Sequence, residues 1–585
     1  MTSQTPRPSA RRAIPKAGPT PAAPAPQDPA GSPVPADGPA PASSPAPAGG
    51  AAPAMTHPEI VRALIALLSA FFVAMLSSTV VATALPRMMG DLNGDQTAYT
   101  WTITATLLAN AATTPIFGKL ADMYNKKVLV QWSIVVFVAG SVLAGFTHSV
   151  ALLLVARTIQ GVAMGALTAM AMAIMAVMIA PRERGRYSAY MAVTMGLATA
   201  GGPLLGGFLV DSAWGWRSTF FVPVPIAIVS LILIQRTLHL PHTPRKQAID
   251  FLGAFLLAAG VTLILVWISF AGKPDYYDWI SWQTAAMVGG GVIVLAAFVL
   301  VERRAAAPVI SLDIISERTT ALAIAASICV GVAMFASTSF LGQYFQVARG
   351  ETPTVSGLLM LPMIAGNMTG SVLSGRLISA TGRWRRFLIL GTLLLVLAFG
   401  LLATIDHATS LWLIGAYLVV LGLGLGMLMQ NLVLAVQNNV GSKDVGTASA
   451  SVAFFRSFGG AVGVAVLGSL LGTRVQDLTK TRVTEHLAEQ ARAGHPVDPR
   501  ALEGGGGGST LDLAAMPDWL SEIVRGAYGD GMAFLFLITG GLAVLAFVAV
   551  LFIREKELRR TIDLEPAAEK GATTAPGGLA DPAGA

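Results

Sequence analysis

Two arginines stand inside apolar stretches of a 585-residue chain: Arg157 in Leu154-Val-Ala-Arg157-Thr-Ile-Gln160-Gly161, and Arg456 in Phe454-Phe-Arg456-Ser-Phe-Gly-Gly460. A charge inside such a run must face protein or a water-filled cavity. Its hydrogen bonds then go either to a functional partner or to backbone carbonyls. A second constellation is Gly118-Lys-Leu-Ala-Asp122-Met-Tyr-Asn-Lys126-Lys127, where Gly118 allows close backbone approach and Asp122, Lys126 and Lys127 set opposite charges at a break between apolar runs. Such a cluster could latch one face of a bundle in one state and release it in another; an ordinary basic loop gives the same pattern. Gln430 and Asn431 could hydrogen-bond a substrate or hold helices together. No phosphate-binding Gly-x4-Gly-Lys-Ser/Thr loop is present, and Gly504–Gly508 lacks the Lys and strand context of one, so it reads as a linker. Neither paired carboxylates, a Ser/His/Asp set nor metal-ligand spacing points to an enzyme, a cofactor or a metal, and all seven histidines fall in expected loops or tails. The single cysteine, Cys329, excludes an intramolecular disulfide.

The elements that position these residues follow from composition. The chain is 54% hydrophobic and 12% charged, with a mean hydropathy of +0.64, against roughly 25% charge in soluble domains. That excludes a soluble multidomain protein and points to an all-α polytopic membrane protein. Fourteen apolar runs are expected as spanning helices: 60–85, 98–117, 128–147, 150–180, 187–209, 219–236, 251–271, 283–301, 319–342, 354–375, 387–405, 410–433, 447–471 and 530–553. Net charge is +7. In a soluble chain this would suggest nucleic acid, but here the basic residues sit between apolar runs, so the bilayer is the partner and no nucleic acid is expected. Alternate short loops hold 17 Lys and Arg residues, while the intervening ones hold only Arg87, Arg217, Lys273 and Arg349. The asymmetry places both termini in the cytoplasm of a multi-pass cytoplasmic (plasma) membrane protein.

Residues 1–58 hold 15 of the 34 prolines within their first 54 positions and read as a disordered cytoplasmic tail, as do 556–585. Gly375-Arg-Leu-Ile-Ser-Ala-Thr-Gly-Arg-Trp384 echoes Gly118–Lys127, which makes the chain two parallel repeats. The expected domains are a six-helix bundle at 59–236, two inserted helices with linkers at 237–318, and a second six-helix bundle at 319–555 with an external, partly flexible loop at 472–529. On the fifth span Ala198, Gly202 and Gly206 recur every four residues and offer a close-packing face, with Pro203 bending the helix.

Gly118–Lys127 resembles the loop motif of the major facilitator superfamily, with Asn125 where a second Gly is usual. Leu154–Gly161 resembles its helix-4 motif, and Gly196-Leu-Ala-Thr-Ala-Gly-Gly202-Pro203-Leu-Leu-Gly206-Gly207 its helix-5 antiporter motif. Trp214-Gly-Trp216-Arg217, and Tyr344-Phe-Gln346 followed by Gly350 and Leu361-Pro362, are similar to the 14-helix drug:proton antiporter branch. The resemblance implies the major facilitator fold, two six-helix bundles plus two inserted helices. It also implies a secondary exporter of small amphiphilic drugs or antibiotics, acting by alternating access, coupled to protons and monomeric. Arg157 and Gln160 would serve coupling or packing around the cavity, as Arg456 could, while Gly202, Pro203, Gly206 and Gly207 would form a hinge. Ser77, Thr79, Tyr344, Gln346, Gln430 and Asn431 are the candidate substrate cavity. The branch usually carries an Asp where this chain has Ser77. No carboxylate lies well inside any expected span, and Asp122, Asp211 and Asp250 lie at span ends, so the cavity is expected to favour neutral or anionic amphiphiles over cations. Two other readings share these motifs: export of one endogenous metabolite, lipid or self-made antibiotic, and a transporter-derived sensor or scaffold.

Overall fold

The computed structural model describes residues 57–178, 184–238, 250–271, 276–305, 315–440, 445–492 and 516–556. Apart from their inner edges, the expected tails lie outside these residues, as does 493–515 of the expected loop. Fourteen long helical segments run through the described residues, one for each expected span: α1 (His57–Asp91), α2 (Gln96–Met123), α3 (Lys126–Gly145), α4 (Val150–Met178), α5 (Arg184–Asp211), α6 (Ser218–Thr237), α7 (Phe251–Phe270), α8 (Trp282–Arg304), α9 (Arg318–Gln343), α10 (Pro353–Thr381), α11 (Arg385–Leu402), α12 (Leu411–Gln437), α13 (Val445–Arg492) and α14 (Asp518–Leu551). Twelve are long and apolar enough to cross a membrane; α2 and α5 are not among them. In α2 the reason is its threonines: Thr100, Thr102, Thr104 and Thr106 lower its hydropathy yet are all buried, on two faces of the helix.

Local chemistry sets the boundaries. Asp95, Asn125, Asp250, Ser281, Glu317 and Thr352 each accept a backbone N–H of the first turn of α2, α3, α7, α8, α9 and α10, the usual work of short polar side chains at an N-cap. Gly382, at φ +71°, ends α10 in the left-handed region that a side chain would resist. Several boundaries differ from expectation. Pro86 does not end α1, which continues to Asp91. The thirteenth helix does not stop at residue 471 but runs on to Arg492, and the fourteenth begins at Asp518, so much of the expected loop is helical. The two extensions pack on each other: His486 lies flat on Trp519 with ring centroids 5.0 Å apart, and Arg482 pairs with Asp530. His486 is thus a helical residue, not a loop one.

Helix pairing repeats along the chain. In the first half α1 packs on α5, α2 on α4 and α3 on α6; in the second α9 packs on α13, α10 on α12 and α11 on α14. The short backbone separation in these pairs comes from glycine. A Cβ on Gly161 would overlap the Thr106 carbonyl, and one on Gly165 would lie 2.5 Å from the Asn110 carbonyl, so α2 and α4 touch through backbone. Gly366, Gly370, Gly422 and Gly426 do the same between α10 and α12, the small-residue packing that replaces hydrophobic association in lipid. The inserted helices α7 and α8 pair with each other, and α7 leans on α2 and α13 through Leu257, Val261 and Leu265.

Candidate functional site

Arg157 is 3% exposed at the centre of a polar chain crossing three helices. Its Nη1 donates to Gln160 Oε1 at 2.7 Å and its Nε to the Thr102 carbonyl at 3.5 Å, while Gln160 Nε2 donates to Ser141 Oγ at 2.8 Å. Thr106 Oγ1 returns a bond from α2 to the Arg157 carbonyl at 3.2 Å. No carboxylate neutralises this cation among the described residues. A buried charge held only by neutral dipoles leaves a positive potential in its surroundings. Arg456 is half-buried about 17 Å from the start of α13, at about 1.5 Å per residue. Its Nη1 donates to the Met429 carbonyl at 3.4 Å, and it too lacks a carboxylate partner among the described residues. Next to Met429, Gln430 is exposed. Asn431 is 4% exposed and donates to the Met427 carbonyl of its own helix at 2.6 Å. Of the expected amides, Gln430 is exposed one residue beyond the carbonyl that Arg456 holds, whereas Asn431 holds its helix.

The remaining cavity candidates sit in packing. Ser77 is 1% exposed and its hydroxyl has no hydrogen-bond partner among the described residues. Thr79 donates to the Ala198 carbonyl of α5 at 3.1 Å, and a Cβ on Gly202 would overlap its side chain. Tyr344 is fully buried, with its hydroxyl donating to the Asp406 carbonyl at 2.6 Å. Gln346 Nε2 donates to the Thr83 carbonyl of α1 at 2.9 Å, a bond between the two repeats rather than toward an open space.

That last bond belongs to a seam at the end of the molecule where α1 meets α2, here the Asp91 end. Gln96 on α2 and Gln343 on α9, 7% and 0% exposed, exchange amide hydrogen bonds of 3.3 and 2.5 Å. The Tyr99 hydroxyl donates to the Ser339 carbonyl at 2.7 Å. Asp211 accepts from Thr354 N at 2.9 Å and also from its hydroxyl. The glycine motif on α5 splits between two partners. Gly202 and Gly206 face α1, where a Cβ on Gly206 would stand 2.8 Å from the Val80 carbonyl. Gly207 faces the other repeat, where a Cβ would meet Pro353 O and Thr354 Cα at 2.5 Å, while a Cβ on Gly357 would overlap the Pro203 carbonyl. The α5 helix runs on through Pro203 without a break, and the Pro203 carbonyl lies against the backbone at Gly357.

The loop motif is only partly assembled. Gly118 lies in open space, Asn125 caps α3, and Lys126 opens that helix. Lys127 Nζ donates to the Gln235 carbonyl at the end of α6, 2.7 Å away, so it ties α3 to α6 within one repeat. The Asp122 side chain lies outside the described atoms. Sequence reasoning missed Gln96, Tyr99 and Gln343, whose partners are more than two hundred positions away. It also missed Glu302, one residue past the expected eighth span, which is 3% exposed. Glu302 and Asp250 converge on Gly253, where a Cβ would lie 2.8 Å from Glu302 Oε2. The signal was a Glu directly before Arg303-Arg304 at the end of an apolar run.

Residues 67–464 match the family described as the Major Facilitator Superfamily. An uncharacterised transporter of that type from Mycobacterium tuberculosis is 33% identical over 493 residues, covering 84% of this chain and 69% of its own. The multidrug transporter protein MdtP of Bacillus subtilis is 30% identical over 421 residues, covering 72% of this chain and 77% of its own. Among solved structures, a bacterial homologue of the human lysosomal transporter Spinster, in an inward-facing and unoccupied conformation, superposes with a TM-score of 0.61 at 15% identity, over 86% of this chain and all of that one.

Proposed function

Because the chain belongs to the Major Facilitator Superfamily, we propose that it is a secondary active exporter of small neutral or anionic amphiphiles, working by alternating access between bundles at 59–236 and 319–555. The seam at the Asp91 end carries this reading. Paired glutamines, Tyr99, Asp211–Thr354 and the Gly207 and Gly357 contacts join the two repeats there, and each is a contact that separates when the bundles part. Basic residues concentrated in the loops at the opposite end support a cytoplasmic placement for that end; in this reading the membrane is the plasma membrane and the closed seam faces the outside. Arg157 and Arg456, without carboxylate partners among the described residues, give the path a positive potential that attracts anions and disfavours organic cations. Gln430 beside Arg456 supplies hydrogen bonds. The name of the Bacillus relative, a multidrug transporter, supports export of more than one compound.

In this reading protons act on the outer gate at Asp211. Its carboxylate accepts two bonds from Thr354 across the seam, and protonation weakens both, so proton arrival at the outer end and seam opening favour each other. Uptake into everted vesicles under an imposed pH gradient, with anionic, neutral and cationic amphiphiles, tests the proposal. Expected are gradient-driven accumulation of neutral and anionic compounds and loss of the pH response in Asp211→Asn. Accumulation of cations alone, or none under any gradient, refutes it.

A further inference from the structure

Away from the seam, on the side of the first repeat that faces outward between α3 and α6, lies a groove of about 430 Å³ lined by Gln131, Val135, Leu231, Ile232, Gln235 and Arg236. Its volume falls within the range of small-molecule sites. Its polarity runs along the helices. α3 leaves the Lys126 end while α6 returns to it, so Gln131 and Gln235 meet at that end, with Gln131 Nε2 donating to Gln235 Oε1 at 2.5 Å. Val135, Leu231 and Ile232 line the part further in, and Val135 and Ile232 are 44% and 48% exposed. Lys127 rests its ammonium on the carbonyl of Gln235, a lining residue, and the next residue along α6, the exposed Arg236, also lines the groove. The six lining residues include no carboxylate. Trp132, next to Gln131, is 63% exposed, the placement of an aromatic ring at a membrane interface.

We propose that this groove binds one anionic phospholipid of the leaflet at the Lys126 end, its phosphate held by Arg236, Lys127 and the amides of Gln131 and Gln235, and its acyl chain laid along Val135, Leu231 and Ile232. Donors outnumber acceptors at the mouth: Gln235 Nε2 carries two N–H groups, Arg236 five, and Lys127 keeps two beyond its carbonyl bond. Phosphate oxygens match that set, whereas the ammonium of a zwitterionic headgroup would meet two cations. A transported substrate is a poorer occupant, because the groove opens away from the seam between the repeats. The bound lipid would fasten α3 to α6 where Lys127 already joins them. The assignment is independent of which compound the protein exports.

The test uses the full chain reconstituted in phosphatidylcholine vesicles doped with phosphatidylglycerol, then extracted and weighed by native mass spectrometry with its retained lipid. Expected is preferential retention of phosphatidylglycerol, lowered about fivefold by Arg236→Gln, from about one Lys- or Arg-equivalent of attraction. Ile232→Trp, which fills the groove and leaves both cations, lowers it as well, with thermal unfolding confirming that each variant is folded. Equal retention of the two lipids by the parent, or a preference unchanged in both variants, overturns the proposal. Displacement of the lipid by soluble glycerol phosphate also overturns it, as that would mark a phosphate site rather than a lipid site.

Discussion

Gly207→Ala adds one methyl group at the seam between α5 and α10. An ideal Cβ there lies 2.5 Å from both the Pro353 carbonyl oxygen and Thr354 Cα, about 1 Å short of ordinary contact. Both neighbours are backbone, so no side chain can rotate away and the two helices must part. Overpacking of this kind costs about 1–3 kcal/mol. In the proposed alternating-access cycle the contact exists only while the seam is closed, so the whole cost falls on the closed state, and the ratio of open to closed molecules rises roughly 5–150-fold. A cysteine at Ser339 reports it. Ser339 is 2% exposed beneath the Tyr99 hydroxyl, and Cys329→Ser removes the chain's single native thiol. Labelling of Ser339→Cys by a membrane-impermeant maleimide should quicken at least about fivefold when Gly207→Ala is added. Gly400→Ala, whose Cβ meets nothing within 4 Å, should leave it unchanged. An unaltered labelling rate in folded Gly207→Ala protein would refute the argument that this glycine sets the closed seam.

Gln96→Leu and Gln343→Leu each leave a buried amide unpaired and should each lower thermal stability by about 1–3 kcal/mol, while the double variant loses less than their sum; a double-mutant cycle in calorimetry checks this, and strict additivity would contradict it. Ser77→Asp places a carboxylate where a buried hydroxyl has no partner among the described residues, and should add export of organic cations measured in everted vesicles; unchanged cation flux at equal expression would count against a charge-selective path. In the loop before α12, the Thr409 hydroxyl holds the Asp406 carboxyl below its ordinary value. A depressed carboxyl stabilises the fold above its unfolded pKa and loses that contribution as pH falls through its folded value. Thr409→Val should therefore raise the Asp406 pKa in an NMR titration and bring acid-induced loosening of this loop to higher pH; an unmoved titration would exclude the hydroxyl as the cause.

Fourteen apolar runs were legible because a spanning helix must satisfy its backbone within one segment, and that writes its length into the sequence. Arg157 was legible for the same reason, as a charge is conspicuous in such a run, and so was the four-residue spacing of Gly202 and Gly206. What partners these residues meet was not legible. Tyr344 and Gln346 were read as cavity residues from the motif around them, yet one bonds the Asp406 carbonyl and the other Thr83 across the repeats. The Gln96–Gln343 exchange joins positions 247 apart, and nothing local in either helix announces it. The extension of α13 was hidden for another reason. Beyond residue 471 it alternates charged and apolar side chains that cover α14, so the hydropathy signal ends while the helix continues.

That extension makes α13 unusual as a mechanical part. The 21 residues after Leu471 project about 32 Å at about 1.5 Å per residue, braced against α14 by the Arg482–Asp530 pair and the His486–Trp519 stack. A rod rooted in one bundle turns with it. A tilt of about 10° at the root would carry the tip near Arg492 through roughly 5–6 Å, about two to three times the displacement at Gly459 or Gly463, where α13 packs on α9. The hairpin is therefore a lever. In the proposed alternating-access cycle, whatever grips its tip would act on the closure of the bundles some tens of ångströms away without entering the path between them.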